Sequence, residues 1–168
     1  LERCLDFVFR VDTIQDPGDQ FPVFYDSNGY EPSSWNELFQ IFRKISISDS
    51  DIFLDIGSGK GRVMLLACLF PFGRVLGVEN EIHLYQIAQK NFSSFLLSRV
   101  GKKQLKINNR IANVLELDFD DSVNFIFLHS PFGPESVKAL SSMIRKSLDR
   151  SPRRIRVLYL LPAHFDEL

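Results

Sequence analysis

The residues best suited to chemistry form a glycine-rich run, Asp-Ile-Gly-Ser-Gly-Lys-Gly-Arg, at positions 55–62. This run directly follows a short apolar stretch and precedes an apolar helical pattern, so we place it between a strand and a helix. Glycines let the backbone turn sharply and let a ligand approach it closely, and a helix N-terminus offers unpaired N–H groups. The run therefore predicts a ligand-binding loop, with a tight turn that binds nothing as the alternative.

The spacing of the glycines distinguishes between two kinds of nucleotide site. A dinucleotide fingerprint, Gly-x-Gly-x-x-Gly, would place its third glycine at position 62. Arg62 stands there instead, and the third glycine is Gly61. This spacing disfavours an NAD-dependent oxidoreductase, which we keep as the last alternative for the function.

An acidic residue ends the next apolar stretch, Gly77-Val78-Glu79, 18 positions after Gly61. An acid at the tip of the second strand of a nucleotide-binding sheet can bind both hydroxyls of a ribose. The alternative is that Glu79 only caps the helix that follows it. Because the acid and the glycine loop occur together, we favour a nucleotide cofactor.

The elements that must position these residues alternate along the chain. Apolar stretches predict strands at 51–56, 75–78, 105–111, 123–128 and 155–161. Helical patterns separate them, and a capping-box pattern at Ser34 and Glu37 opens a helix before the first strand. Strands that alternate with helices predict a parallel sheet, and right-handed crossovers make it doubly wound. We expect an α/β fold with a mainly parallel sheet in the order 3-2-1-4-5 and helices on both faces.

The bulk composition argues against a membrane partner and weakens the case for nucleic acid without excluding it. The formal net charge of −1 gives no strong attraction to nucleic acid. No apolar run approaches the roughly 20 residues that span a bilayer, and no signal-peptide pattern opens the chain. We therefore expect a cytoplasmic protein that does not bind membranes. None of the three histidines lies in a pattern that suggests a metal site.

At the glycine run and at Gly-Val-Glu, the chain resembles the class I S-adenosylmethionine-dependent methyltransferases, and the resemblance covers roughly residues 30–162. It implies that the loop cradles the methionyl part of the cofactor and that Asp55 lies near its sulfonium or amino group. It also implies that Glu79 holds the ribose. The loop residues assigned to this cradle are Gly57, Ser58, Gly59 and Gly61.

Two further residues carry weaker parts of this resemblance. Ala112-Asn113-Val114 stands where the family often has Gly-Asp-Ala, so Asn113 is expected to accept a bond from the adenine amino group through its carbonyl oxygen. Tyr30-Glu31-Pro32 resembles the loop that closes over the cofactor in relatives that include lysine methyltransferases. The alternatives are a turn asparagine at 113 and a core aromatic at Tyr30.

The resemblance places the methyl acceptor after the fourth strand. Amino-methylating members often carry Asn-Pro-Phe there, and Ser130 occupies the asparagine position before Pro131 and Phe132. This departure argues against methylation of adenine in nucleic acid, and the segment 132–135 is similar to one in the non-SET histone-lysine methyltransferases. His129 could act as a base near neutral pH, although methyl transfer depends mainly on alignment, so a structural role is its alternative.

The sequence therefore predicts an S-adenosylmethionine-dependent N-methyltransferase, with Ser130, Phe132 and His129 as candidate catalytic residues. Its product would be S-adenosylhomocysteine, and protein lysine ranks ahead of RNA or a small molecule as the acceptor. A non-catalytic S-adenosylmethionine-binding module is the main alternative. We expect a single domain over 1–168, with 1–31 as an N-terminal extension or cap and without the last two strands of the family.

Overall fold

The computed structural model describes residues 2–15, 30–97, 107–129, 133–162 and 164–168. Its helices are α1 (Glu2–Phe9), α2 (Trp35–Phe42), α3 (Arg62–Ala67), α4 (Ile82–Leu97) and α5 (Pro134–Arg150). Its strands are β1 (Ile52–Ile56), β2 (Arg74–Glu79), β3 (Ile107–Ile111), β4 (Phe125–His129) and β5 (Arg156–Leu160). Short 3₁₀ turns lie at Val114–Glu116 and Phe165–Glu167. Within these ranges, no helix is both long and apolar enough to cross a membrane.

The strands form one sheet in the order β3-β2-β1-β4-β5, and every neighbouring pair is parallel. The predicted fold class and strand order are therefore confirmed. β2 and β3 lie on one side of β1, and the next strands along the chain, β4 and β5, lie on the other side. This reversal creates the switch point where ligands bind in open parallel sheets.

The central strands supply side chains to a core on each face of the sheet. Phe53, Phe125 and Phe127 point to one face, where they join buried residues of α2, α3 and α4. Leu54 and Ile126, one position along, point to the other face and join buried residues of α5. This alternation follows from the two-residue repeat of a strand, and it confirms the prediction of helices on both faces.

The helix α2 begins where the capping pattern predicts. Ser34 is its N-cap, and the Ser34 Oγ accepts a hydrogen bond of 3.4 Å from the backbone N–H of Glu37. Trp35, Leu38 and Phe42 bury the apolar face of the helix against the sheet. The packing fixes the residue before the cap, Ser33, beside the carboxyl end of β4.

The N-terminal helix α1 packs on the same core as α2 through Leu5 and Phe9. The helix ends at Phe9 because Arg10 adopts a left-handed conformation with a φ of 56°. The backbone N–H of Val11 then donates to the carbonyl of Asp6. The residues after α1 reach the glycine loop, where Thr13 and Ile14 contact Arg62 and Lys60. The assignment of residues 1–31 as an N-terminal extension or cap stays a prediction.

Candidate functional site

The glycine run forms a tight loop between β1 and α3. Gly57, Gly59 and Gly61 have φ angles of 79°, 54° and 86°, which L-residues adopt at a cost. The N–H groups of Gly57 and Ser58 donate to the carbonyl of Val78 at 2.9 and 3.0 Å. The loop is thereby fastened to the end of β2, at the carboxyl edge of the sheet.

Glu79 fastens the same loop from the side and is only 5 % exposed. Its Oε2 accepts a bond of 2.6 Å from the N–H of Gly59. Its Oε1 accepts bonds of 2.9 Å from the N–H groups of Asn80 and Glu81. A carboxylate has about four acceptor positions, so one position remains for a ribose hydroxyl. The side chain therefore orders the start of the next segment as well as the loop, while its contact with a ribose stays a prediction.

Asp55 lies beneath the loop and is 1 % exposed. Its Oδ2 has no hydrogen-bond partner among the described residues. Burial, and secondly the charge of Glu79, raises the pKa of the Asp55 carboxyl well above its ordinary value. Burial also raises the pKa of Glu79, against the N–H bonds that favour its charged form. In the described part of the chain no cationic side chain lowers the pKa of either carboxyl group, so the two groups form a site suited to a positively charged ligand.

Ser58 is turned inward, where its hydroxyl donates to Asn109 Oδ1 at 3.1 Å. Asn109 lies in β3 and is 7 % exposed, and its Nδ2 has no partner among the described residues. A Cβ at Gly77 would overlap Asn109 and Met64, so this position of β2 requires glycine. Sequence reasoning missed Asn109, although two asparagines in a strand are an unusual signal.

Tyr30 packs its ring on Gly59, because a Cβ built at that glycine would overlap the ring. Its hydroxyl donates a hydrogen bond of 2.7 Å to the carbonyl of Thr13, and Lys60 Nζ lies 5.7 Å from the ring centre. Tyr30 therefore lies at the glycine loop.

Asn113, by contrast, uses its side-chain oxygen to accept a hydrogen bond from the N–H of Leu115 at 2.9 Å. That bond caps the 3₁₀ turn, and the contact of Asn113 with adenine stays a prediction.

On the side where the sequence predicts the methyl acceptor, His129 ends β4 and its Nδ1 lies 2.7 Å from Ser33 Oγ. Ser130, Pro131 and Phe132 lie outside the described residues, so the roles predicted for Ser130 and Phe132 stay predictions. Among the residues that the structure describes, no three His, Cys, Asp or Glu side chains group as metal ligands.

The parallel sheet with a glycine loop after β1 and a buried acid at the end of β2 has the architecture of the class I, Rossmann-like methyltransferases. The model of the family described as "Histone methylation protein DOT1" matches residues 22–124. The chain belongs to this DOT1 family. The family resemblance predicted from the sequence is thereby confirmed.

A curated relative from Dictyostelium discoideum, "Histone-lysine N-methyltransferase, H3 lysine-79 specific", is 32 % identical over 124 residues. The alignment covers 69 % of this chain and 7 % of that protein, so the chain matches only a small part of its length.

Two solved methyltransferase structures share the fold. An RNA methyltransferase from Salinibacter ruber, in complex with S-adenosyl-L-homocysteine, has a TM-score of 0.55 and 20 % identity, over 70 % of this chain and 71 % of its own. A dimethyladenosine transferase from Plasmodium falciparum has a TM-score of 0.53 and 16 % identity, over 75 % of this chain and 42 % of its own.

Proposed function

We propose that this chain binds S-adenosylmethionine at the glycine loop and transfers its methyl group to the side-chain nitrogen of a protein lysine. The observation that carries the proposal is the buried Oδ2 of Asp55, which has no hydrogen-bond partner within the described ranges and feels the charge of Glu79. S-adenosylmethionine carries two positive groups, a sulfonium and an amino group, and either would stabilise the ionised form of this buried carboxyl group. A cofactor with no cationic group would offer Asp55 no such stabilisation.

The remaining contacts fit the same cofactor. The left-handed glycines would let the methionyl part approach the loop backbone closely, and the free acceptor position of Glu79 would suit one ribose hydroxyl. Binding of the second hydroxyl would require Glu79 to release one backbone N–H. S-adenosylmethionine supplies a methyl group on a good leaving group, so the task of the protein is to align the acceptor with it.

Membership of the DOT1 family and the histone-lysine activity named for the Dictyostelium relative support protein lysine, with a histone as the leading acceptor. A lysine ammonium must lose its proton before the nitrogen can bond to the methyl carbon while the carbon–sulfur bond breaks. His129 lies at the same edge of the sheet as the loop and could accept that proton. Ser130 in the asparagine position argues against adenine in nucleic acid.

Transfer of a tritiated methyl group tests this function and its rivals. The chain is incubated with labelled S-adenosylmethionine and with separate pools of protein, RNA and small metabolites. We expect label in protein, and loss of that label when the lysines are first blocked by acetylation, which removes the nucleophilic lone pair of each side-chain nitrogen. Binding without label in any pool would support the non-catalytic module, and label confined to RNA or metabolites would contradict lysine as the acceptor.

Substitution of Gly59 by alanine is expected to weaken S-adenosylmethionine binding about tenfold, because a left-handed L-residue costs roughly 1–2 kcal/mol. The new Cβ would also displace the Tyr30 ring from the loop. Calorimetric titration measures the affinity, and thermal unfolding shows whether the fold is retained. Unchanged affinity in a folded variant would place the cofactor elsewhere.

A further inference from the structure

We propose that Arg62 is a positioning residue that holds the cofactor side and the acceptor side of the site in one arrangement. This inference rests on the proposed function. Arg62 begins α3 and is 3 % exposed. It is not needed to hold the loop backbone, because the carbonyl of Val78 and the carboxylate of Glu79 already do so.

The guanidinium of Arg62 holds two segments that are distant in sequence. Its Nη2 donates to the carbonyl of Thr13 at 3.0 Å, and its Nε donates to Thr13 Oγ1 at 2.7 Å. Its Nη1 donates to the carbonyl of Ser33 at 2.8 Å. The planar fork of an arginine can donate in several directions at once, whereas a lysine ammonium is a single compact charge.

The two residues whose carbonyls bind Arg62, Thr13 and Ser33, contact different sides of the site. The carbonyl of Thr13 also accepts from the hydroxyl of Tyr30, whose ring lies on Gly59 in the cofactor loop. The hydroxyl of Ser33 pairs with His129 Nδ1 at the end of β4. One side chain therefore fixes the residue that covers the loop and the residue that orients the histidine.

The charge of Arg62 is compensated locally, so that it can remain buried. Glu2 Oε2 lies 2.6 Å from Nη1, and Asp6 Oδ1 lies 3.7 Å from Nη2. Asp6 also accepts hydrogen bonds from Thr13 and from Trp35 Nε1, and the guanidinium lies 5.5 Å from the Trp35 ring. The same network anchors α1 and the segment after it beside the loop.

A matched pair of substitutions tests the proposal. Arg156 resembles Arg62 in its contacts: it pairs with Asp51, donates to the carbonyl of Ser46 and lies over the ring of Phe125. It begins β5, however, at the opposite edge of the sheet from the loop. Arg62→Lys and Arg156→Lys therefore remove the same fork inside and outside the proposed site.

We expect Arg62→Lys to raise the Kd for S-adenosylmethionine about tenfold and to lower single-turnover transfer at saturating cofactor. Arg156→Lys should lower the unfolding midpoint while it leaves both quantities within about twofold of the wild-type value. Assays are run well below both midpoints. Equal affinity and transfer in the two variants would overturn the proposal and leave Arg62 as a purely structural residue.

Two smaller changes test the cofactor side and the acceptor side separately. They also keep the proposal testable if Arg62→Lys does not fold. Tyr30→Phe should raise the Kd by a larger factor than that by which it lowers transfer at saturating cofactor. Ser33→Ala should leave the Kd unchanged and lower single-turnover transfer at saturating cofactor, because the His129 ring loses the partner that orients it. Wild-type behaviour of both variants would overturn the proposal. A wild-type chain that neither binds nor uses S-adenosylmethionine would instead refute the proposed function.

Discussion

Replacement of Glu79 by alanine is expected to raise the Kd for S-adenosylmethionine about 100-fold, or roughly 3 kcal/mol. Three backbone N–H groups would lose their acceptor, and one of them belongs to Gly59 in the loop itself. A ribose hydroxyl would lose its partner as well. A hydrogen bond to a charged group contributes about 1.5–3 kcal/mol, so the expected loss is at the upper end of one such bond.

Glu81 supplies a control for this experiment. It is buried like Glu79, and its Oε2 accepts from the N–H of Leu84 in the first turn of α4. Glu81→Gln should therefore lower stability and leave cofactor affinity unchanged. Titration calorimetry measures the Kd for S-adenosylmethionine of both variants. Affinity in Glu79→Ala within twofold of the wild-type value would leave Glu79 with a capping role only.

Asp55→Asn is expected to change the pH dependence of stability and to weaken cofactor binding about 30-fold, or roughly 2 kcal/mol. The pKa of Asp55 is raised in the folded chain, first by burial and then by Glu79. Its contribution to stability is therefore complete below its ordinary pKa and is lost as the pH rises through the raised value. This loss reaches at most about 1.4 kcal/mol per pH unit, and the asparagine variant should lack it.

Binding of a cation beside Asp55 should also lower its pKa and release a proton. Calorimetry in two buffers of different ionisation enthalpy measures that proton, which Asp55→Asn should not release. Asp51, just before β1, is a control because its pKa is shifted in the opposite direction from that of Asp55. Burial raises its pKa, but hydrogen bonds from Ser48 and the Arg156 guanidinium outweigh burial and lower it. Asp51→Asn should lose stability above the ordinary pKa and bind cofactor normally. A proton release that Asp55→Asn retains would contradict the role of Asp55.

The fold could be predicted from the sequence because its signals are local. The alternation of strands and helices, the capping pattern at Ser34 and the glycine run are each contained within a few residues. The loop and Glu79 come together for a general reason, since the carboxyl ends of neighbouring parallel strands share one edge. The cytoplasmic location predicted from the sequence stays a proposal.

The polar network behind the site could not be predicted in the same way. Arg62 bonds to Thr13, 49 positions earlier, and to Ser33, 29 positions earlier. Hydrophobic periodicity indicates which face of an element is buried, but it does not indicate which buried polar groups meet. The sequence does contain one signal of this network. Arg62 directly follows the last glycine and begins an apolar helix, so its charge needs polar partners inside the fold. From the sequence alone, Arg62 indicates only a departure from the dinucleotide pattern.

The central claim is tested most directly by titration of the wild-type chain with S-adenosylmethionine and, separately, with NAD. We expect saturable binding of S-adenosylmethionine at one site per chain, competition by S-adenosylhomocysteine, and no heat of binding with NAD. Saturable binding of NAD, or no binding of S-adenosylmethionine by the folded chain, would contradict the account.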